Sequence, residues 1–408
     1  MSWIDAIIRK SRIVKANNPK EQELVDALVN TSLNYVDKSI ETGVILASFY
    51  DLAISAVYYT YITNSGWIYC KNFGNPKLIL PFVNCCPVHA LNGEFIFHKS
   101  SKPTSAKIGE SASRILLLFY QSLFKMYGKA LEVYDACEPA DAIFLDKTNS
   151  TAFFAEIKAS PLLTMSIATD CEVLTDFDKD ENIVEVAHKS TANPNLIGSE
   201  MYVMLPIQSE NGKWDFKYYS IGHKQKNNDE DFAYNGILNL LSNQSFLKDY
   251  IQYWQTSFRL YCTKDDSENI FWFTNACGKP SGLKDWGGGT TCISDAKTSV
   301  GMDRTDDIKK GIYQVLKLGS EGKQISSNWN YKVGILSNIH PARHFESYIK
   351  PIKDMVWANS VEKNINFAKD LPGDTPMYNL FDGIVTFTDS YIRDLWLIKN
   401  VINTNNNE

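Results

Sequence analysis

Residues 129–161 read KALEVYDACEPADAIFLDKTNSTAFFAEIKASP, and they contain two apolar runs separated by a polar turn segment. The runs are Ala140–Leu145 and Ala152–Ile157, and the segment between them is DKTNS. Short apolar runs on either side of such turn-forming residues are typical of a β-hairpin. We therefore predict two antiparallel strands joined by a loop at Lys147–Ser150.

The register of this hairpin brings two acidic side chains together. If Asp146 pairs with Thr151, counting back along both strands places Asp141 directly opposite Glu156. Directly opposed side chains in antiparallel strands have Cβ atoms about 4.5–5.5 Å apart. Because alternate residues of a strand share a face, Lys158 lies on the same side as Glu156. One face of the hairpin is thus predicted to carry Asp141, Glu156 and Lys158.

Two carboxylates at this distance repel each other unless a cation lies between them. Mg²⁺ prefers oxygen ligands and typically binds one or two carboxylates together with substrate phosphate oxygens. A lysine beside such an ion can orient a water molecule or stabilise charge that develops on phosphorus. The pattern predicts a metal-dependent phosphodiester hydrolase. The alternative is that Asp141 only begins a strand while Glu156 and Lys158 form a solvated face.

The same residues resemble the motif of the PD-(D/E)xK nuclease superfamily, which includes most type II restriction endonucleases. Here the motif reads Pro139-Ala140-Asp141, then fourteen residues, then Glu156-Ile157-Lys158, so Ala140 interrupts the usual Pro-Asp pair. The resemblance implies an α/β (α+β) fold, a restriction-endonuclease-like core with a central mixed sheet flanked by helices. It further implies that Asp141 and Glu156 bind Mg²⁺, that Lys158 assists the attacking water, and that the substrate is double-stranded DNA. Cleavage of both strands at a palindrome would call for a homodimer.

A strongly apolar helix is predicted at 109–127, just before a strand at 130–134 and the hairpin. Many members of the resembled superfamily carry a further metal-facing acid on this first helix, and Glu110 occupies the matching place. Glu110 would lie in the first turn, where the helix dipole favours an acid in any case. It is therefore either a third catalytic acid or a plain N-terminal charge.

A second acid–lysine pair, Asp295-x-Lys297, follows the glycine run at 286–289 and is kept as the alternative catalytic motif. It lacks a clear partner, because Asp285 precedes the glycine run rather than facing Asp295 across a hairpin. The favoured interpretation of this region is contact with DNA phosphates. The basic residues concerned are Lys297, Arg304, Lys309 and Lys310. An ordinary surface helix at 305–319, capped by Thr305, remains an alternative.

The remaining sequence predicts three regions along the chain and the helices and strands within them. We expect a mainly helical N-terminal region at 1–100, a nuclease core with insertions at 101–345 and a C-terminal helical and strand extension at 346–408. Further helices are predicted at 20–36, 41–63, 234–241, 246–261, 344–359 and 390–401. Further strands are predicted at 67–70, 77–83, 93–98, 201–207, 269–274, 290–294, 332–337 and 383–387.

Net charge, cysteine content and hydrophobicity indicate which classes of protein this chain can belong to. A net charge of −6 argues against a general polybasic coat for nucleic acid, but it leaves room for a local basic cleft. Eight cysteines without a CxxC or a His/Cys group at ligand spacing are typical of reduced, buried thiols and of a cytoplasmic protein. The apolar segment Val44–Ile62 is expected to be a buried core helix rather than a membrane span. No signal peptide is expected.

The acidic pair with its lysine predicts a metal-dependent phosphodiester hydrolase, and the resemblance to type II restriction enzymes implies a Mg²⁺-dependent, sequence-specific DNA endonuclease. Two other classes remain open. One is a DNA-binding module of the same fold that does not cleave, and the other is a different two-carboxylate hydrolase, such as a glycosidase.

Overall fold

The structure, a computed structural model, describes residues 2–71, 77–283, 293, 300–325, 327–358 and 365–402. The α-helices of the described residues are α1 (Trp3–Lys10), α2 (Pro19–Leu33), α3 (Thr42–Thr60), α4 (Pro87–Leu91), α5 (Ser105–Met126), α6 (Asp231–Leu240), α7 (Gln244–Thr263), α8 (Thr305–Gly322) and α9 (Leu395–Leu397). The 3₁₀-helices are Asn269–Phe273 and Ala368–Asp370, and the π-helices are Phe345–Ile349 and Ile398–Ile402.

The strands are β1 (Arg12–Ile13), β2 (Ser65–Cys70), β3 (Lys77–Leu80), β4 (Leu131–Asp135), β5 (Ala142–Asp146), β6 (Thr151–Ile157), β7 (Ile167–Asp170), β8 (Thr175–Phe177), β9 (Ile183–Glu185), β10 (His188–Ala192), β11 (Glu200–Gln208), β12 (Trp214–His223), β13 (Asn330–Leu336), β14 (Val356–Trp357), β15 (Tyr378–Asn379), β16 (Gly383–Val385) and β17 (Tyr391–Ile392). The expected mixture of helices and strands is therefore confirmed.

The chain forms two compact units that alternate along the sequence. The first unit contains Met1–Lys15, Leu116–Ala159 and Gly301–Glu408. The second contains Ala16–Ile115 and Ser160–Val300. The predicted boundaries after residues 100 and 345 divide the chain differently. The longest connection between strands of the first unit thus leaves it after Ala159 and returns at Gly301.

A seven-stranded mixed sheet forms the centre of the first unit, in the order β1-β4-β5-β6-β13-β16-β17. The β5–β6 hairpin has the predicted register, with Asp146 opposite Thr151 and Ala142 opposite Ala155. Strand β13 runs parallel to β6, and β16 runs parallel to β13. The carboxyl ends of β6, β13 and β16 therefore lie at one edge, beside the start of β5.

Both faces of this sheet are covered by helices of the first unit. On one face, Phe144 contacts the α5 residues Tyr120 and Phe124, each with ring centroids 5.2 Å apart. On the other face, apolar residues of α1 and α8 pack against Phe154 and its neighbours. Because strand residues alternate between faces, Glu156 lies on the same side as Phe154. The mixed sheet flanked by helices agrees with the coarse prediction for the core.

The second unit contains a six-stranded antiparallel sheet, in the order β10-β2-β3-β7-β11-β12. Helix α3 is buried in this unit, as predicted for the apolar segment that begins at Val44. Among the described residues it is the one helix long and apolar enough to cross a membrane, and 83% of its most apolar window is buried. Its interior residue Asp51 accepts hydrogen bonds from Trp254 Nε1 at 2.7 Å and Leu163 N at 2.9 Å.

Several local predictions were wrong. The run at 269–274 forms a 3₁₀-helix rather than a strand, and 201–207 joins the six-stranded sheet instead of the sheet that contains the hairpin. The predicted helix at 344–359 was also wrong, because its described residues, 344–358, contain a short π-helix followed by β14. Thr305 is the first residue of α8 rather than its cap, and the helix continues past Gly319 to Gly322. Residues 93–98 form only an isolated bridge, Cys85 with Phe97.

Candidate functional site

The hairpin positions the two predicted acids at the carboxyl end of β6. The Asp141 backbone N–H donates to the Ala155 carbonyl at 3.0 Å, which continues the antiparallel ladder by one residue. The Asp141 carboxylate also accepts a hydrogen bond from Ile157 N at 2.9 Å. This contact holds the Asp141 side chain against the strand that carries Glu156. The predicted juxtaposition of the two acids is therefore present.

The turn at the other end of the hairpin explains why this register forms. Asp146 closes the loop by accepting hydrogen bonds from Thr148 N and Asn149 N, both at 3.0 Å. Ser150 has a φ of 47°, a left-handed conformation that completes the reversal of the chain. A side-chain oxygen that caps the following backbone amides is the usual role of Asp in a turn. The turn fixes the pairing of Asp146 with Thr151. Because pairing continues residue by residue along both strands, the turn also determines which residues face each other at the far end of the hairpin.

Glu156 is the buried member of the acidic pair. Only 6% of Glu156 is exposed, whereas Asp141 lies at the surface. Burial, and then the negative charge of Asp141, raise the pKa of Glu156 to about 7, while Lys158 opposes this shift. Glu156 therefore keeps its proton up to near neutral pH unless a cation replaces that proton.

Lys158 lies on the same face as Glu156 and forms an ion pair with it. The backbone N–H of Lys158 donates to the Leu336 carbonyl at 2.9 Å, which joins the ends of β6 and β13. The aliphatic part of the Lys158 side chain packs against α8. A Cβ on Gly311 of this helix would lie 3.8 Å from Lys158 Cγ. The same Cβ would be 3.2 Å from Ile335 Cδ1, so a glycine at 311 allows α8 to pack closely over this edge.

The predicted basic cluster is partly described. Lys309 and Lys310 are exposed on α8, next to Gly311 in sequence, and Arg304 precedes this helix. The Lys309 ammonium lies 5.8 Å from the centre of the Tyr348 ring. Arg304 forms a half-exposed ion pair with Asp306 at 3.9 Å. These cations belong to the helix that covers Lys158, but their role in DNA contact stays a prediction.

The other predicted site residues are the second acid–lysine motif and Glu110. Asp285, Asp295 and Lys297, with the predicted strand at 290–294 apart from Ile293, lie outside the described residues. Glu110 is exposed in the part of α5 that belongs to the second unit. The prediction that it lies in the first helical turn was wrong, because α5 begins at Ser105. Its role as a third catalytic acid stays a prediction.

Sequence reasoning overlooked a buried carboxylate ahead of α8. Asp303 accepts hydrogen bonds from Arg343 N at 2.9 Å and from His344 N at 3.0 Å. The ring nitrogen Nδ1 of His344 lies 2.8 Å from the same carboxylate. Backbone amides and an imidazole thus surround Asp303, which fixes the segment after β13 against the start of α8. The signal in the sequence was weak, because the partners are separated by the whole of α8 and β13.

It also overlooked a group of metal-ligand residues in the second unit. Cys70, Cys86, His89 and His188 place one ligand atom each within 4.8 Å of all the others. The expectation that the chain has no His/Cys group at ligand spacing was therefore wrong. Cys86-x-x-His89 was the available local signal, but the other two residues come from distant strands.

Comparison of this chain with protein-family models, with curated proteins and with solved structures gives no match.

Proposed function

We propose that this protein is a Mg²⁺-dependent DNA endonuclease of the PD-(D/E)xK type, similar to type II restriction enzymes. The observation that carries the proposal is the paired Asp141 and Glu156 at the end of a hairpin, with Lys158 on the same face. The order of elements around them also supports it. The second half of α5 precedes β4, the β5–β6 hairpin, α8 and the parallel strand β13.

The donor set fits a hard cation. Asp141 and Glu156 offer oxygen atoms alone, which suits Mg²⁺ rather than a thiophilic metal. A divalent cation would also relieve the repulsion that raises the pKa of Glu156. When bound, Mg²⁺ would polarise the scissile phosphate and lower the pKa of a bound water. The oxygen ligands of the site and the repulsion between its two acids therefore both favour a bound divalent cation.

The protein's own residues would divide the remaining work. The exposed Asp141 reaches the surface, where a large substrate can approach, while Glu156 is held in the floor of the site by the strand. Lys158 Nζ, which Glu156 holds in place through the ion pair, would stabilise negative charge on the phosphate or orient the attacking water. Lys309 and Lys310 would contact backbone phosphates beside the site.

The geometry favours this function over a glycosidase. Glycosidases keep their two carboxyl groups about 5–5.5 Å or about 6.5–9.5 Å apart, because the sugar or a water lies between them. Here the Asp141 carboxylate is hydrogen-bonded at 2.9 Å to the backbone N–H of Ile157, the residue next to Glu156, and its negative charge helps to raise the pKa of Glu156. Such a close pair is suited to a bound cation instead. A non-cleaving DNA-binding module would keep the same shape, so only an activity measurement separates it from an enzyme.

Two further parts of the proposal follow from the resemblance to restriction enzymes, and a third follows from the cysteines. The substrate would be double-stranded DNA, and cutting both strands at a palindrome would require a homodimer. The cysteines of the described residues form no disulfide bond, which fits a reducing, cytoplasmic setting. A second catalytic motif at Asp295 and Lys297 remains the alternative within the same function.

The test is cleavage of several plasmid and genomic DNAs with Mg²⁺ and with EDTA, comparing the wild type with Lys158→Ala. We expect discrete Mg²⁺-dependent fragments that fall at least about 100-fold in yield when the lysine is removed, since electrostatic groups of this kind are worth that much. Lys147→Ala is the matched control. Lys147 belongs to the same hairpin and pairs with Glu132 at 2.8 Å, but it lies at the turn end, away from the acids. The Lys147→Ala variant should therefore cleave DNA as well as the wild type does.

Lys297→Ala separates the two candidate motifs. If Lys297→Ala abolishes cleavage while Lys158→Ala retains it, catalysis belongs to the second motif. DNA binding without Mg²⁺ and without cleavage would favour the non-cleaving module. Cleavage that persists in excess chelator would contradict the metal-dependent mechanism.

A further inference from the structure

We infer that the second unit binds one structural Zn²⁺ ion through Cys70, Cys86, His89 and His188. Two thiolates and two imidazoles form one of the usual ligand sets of structural zinc sites. All four come from the protein, so such a site has no open position for substrate. The inference is independent of the proposed nuclease site, which belongs to the first unit.

Two local arrangements bring the four ligands together. His188 begins β10 and lies directly opposite Cys70 at the end of β2, so this pair faces across two antiparallel strands. Cys86 precedes the first residue of α4 and His89 lies three residues later, so both project from the same side of this helical turn. Each pair contributes one sulfur and one ring nitrogen.

The two distances from His89 to the thiols are those of a tetrahedral site. A tetrahedron with Zn–S near 2.3 Å and Zn–N near 2.0–2.1 Å has ligand atoms about 3.3–3.8 Å apart. His89 Nδ1 lies 3.3 Å from Cys86 Sγ and 3.8 Å from Cys70 Sγ. His188 completes the group, in which all ligand atoms lie within 4.8 Å of one another.

The surroundings fit a structural metal. Cys70 and Cys86 are fully buried and His89 is 6% exposed, so water has little access to the centre of the group. His98 Nε2 lies 3.2 Å from His188 Nε2, and His98 Nδ1 lies 3.4 Å from Ser190 Oγ. Metal-bound histidines usually hydrogen-bond through their second ring nitrogen, which fixes their orientation. His98 would serve that role for His188.

The ion would supply packing that β10 lacks. This strand lies at the edge of the six-stranded sheet, and its sequence HKSTA has no large apolar side chain. Edge strands without a buried face are held weakly. A metal bound to His188, Cys70 and the α4 residues would fasten β10 to β2 and to α4. The metal would thus stabilise β10, a strand that buries little apolar surface.

The first experiment measures zinc in the purified full-length chain by elemental analysis. We expect about one Zn²⁺ per chain in the wild type, and a loss of at least about 10-fold in Cys86→Ser after dialysis against a weak chelator. Cys85→Ser is the matched control, because Cys85 is the neighbouring residue and is equally buried but lies outside the ligand group. It should retain the metal.

A second measurement covers the case in which Cys86→Ser fails to fold. Zinc is removed from the wild-type chain and Co²⁺ is added alone. Thiolate-to-cobalt absorption together with the intense visible bands of tetrahedral Co²⁺ would support the site, and Zn²⁺ should bleach both. Wild-type protein that contains no zinc, gains none when Zn²⁺ is added and gives only the weak spectrum of hydrated Co²⁺ would overturn the inference. The four residues would then be a hydrogen-bonded thiol and imidazole cluster.

Discussion

Replacing Glu156 by glutamine tests the electrostatics of the candidate site without any knowledge of its substrate. Burial and the charge of Asp141 raise the pKa of Glu156 from 4.5 to about 7. Ionised Glu156 is therefore less stable in the folded chain than in the unfolded chain. We expect Glu156→Gln to be more stable than the wild type at pH 8 without metal, and no more stable below pH 4.5.

The sign follows from proton binding. Between pH 4.5 and 7, folded Glu156 keeps a proton that the unfolded chain has released, so stability falls as the pH rises through this range. Each pH unit contributes up to about 1.4 kcal/mol, which gives an upper bound of about 3 kcal/mol. The substitution also removes the partner of Lys158, which opposes the gain. A net stabilisation of about 1–2 kcal/mol at pH 8 is expected.

The assay is hydrogen exchange of the β6 amides between pH 5.5 and 8 in the absence of metal, combined with urea denaturation. Exchange is needed because a chain of two units need not unfold in one step. Added Mg²⁺ should protect β6 in the wild type and have little effect in Glu156→Gln, since only the wild type keeps both carboxylates.

Glu132→Gln is the matched control on β4, a strand of the same sheet that is separated from β6 by β5. Burial alone would raise the pKa of Glu132, but hydrogen bonds from Lys147 and Tyr134 hold it below the usual value. This substitution should therefore lower stability at pH 8 rather than raise it. A Glu156→Gln variant that is less stable than the wild type at pH 8, or a difference that does not change with pH, would refute the reasoning.

Two further predictions concern stability. Burial raises the pKa of Asp51 from 3.8 to about 8, so the stability of the second unit should fall as the pH rises between these values. Asp51→Asn keeps an acceptor oxygen but cannot ionise. Urea denaturation of this variant at pH 5–8 should therefore show no such dependence on pH. A Cβ on Gly334 would lie 2.0 Å from the Gly383 carbonyl, so Gly334→Ala should cost about 3 kcal/mol or more in the same measurement. Gly109→Ala is the control, because nothing lies within 4 Å of its Cβ, and a loss equal to that of Gly334→Ala would contradict the steric explanation.

The hairpin was predictable because its determinants are local. The turn residues after Asp146 fix the register, and a register that is fixed at one end determines the pairing of Asp141 with Glu156 at the other. The burial of α3 was equally predictable, since its apolar residues cover every side of the helix. In both cases the information lies within about twenty consecutive residues.

The errors concern features that depend on distant partners. The run at 269–274 is apolar and short, and such a run fits a strand or a helical turn equally well until its neighbours are known. The Cys/His group requires β10 to pair with β2, which no periodicity in either strand indicates. Asp303 likewise depends on contacts with residues beyond β13. Sequence patterns identify elements more readily than the contacts between them.

The two proposed cation sites differ in chemistry, and this affects how the nuclease test must be designed. EDTA removes Zn²⁺ as well as Mg²⁺, so loss of cleavage in EDTA would not by itself assign the catalytic ion to Asp141 and Glu156. Dialysis into buffer without Mg²⁺ leaves a buried Cys₂His₂ zinc site occupied, because thiolate and imidazole bind Zn²⁺ far more tightly than carboxylates bind Mg²⁺. Cleavage that returns on addition of Mg²⁺ alone would support the carboxylate site. Cleavage that returns only with Zn²⁺ would instead contradict a catalytic magnesium site at Asp141 and Glu156.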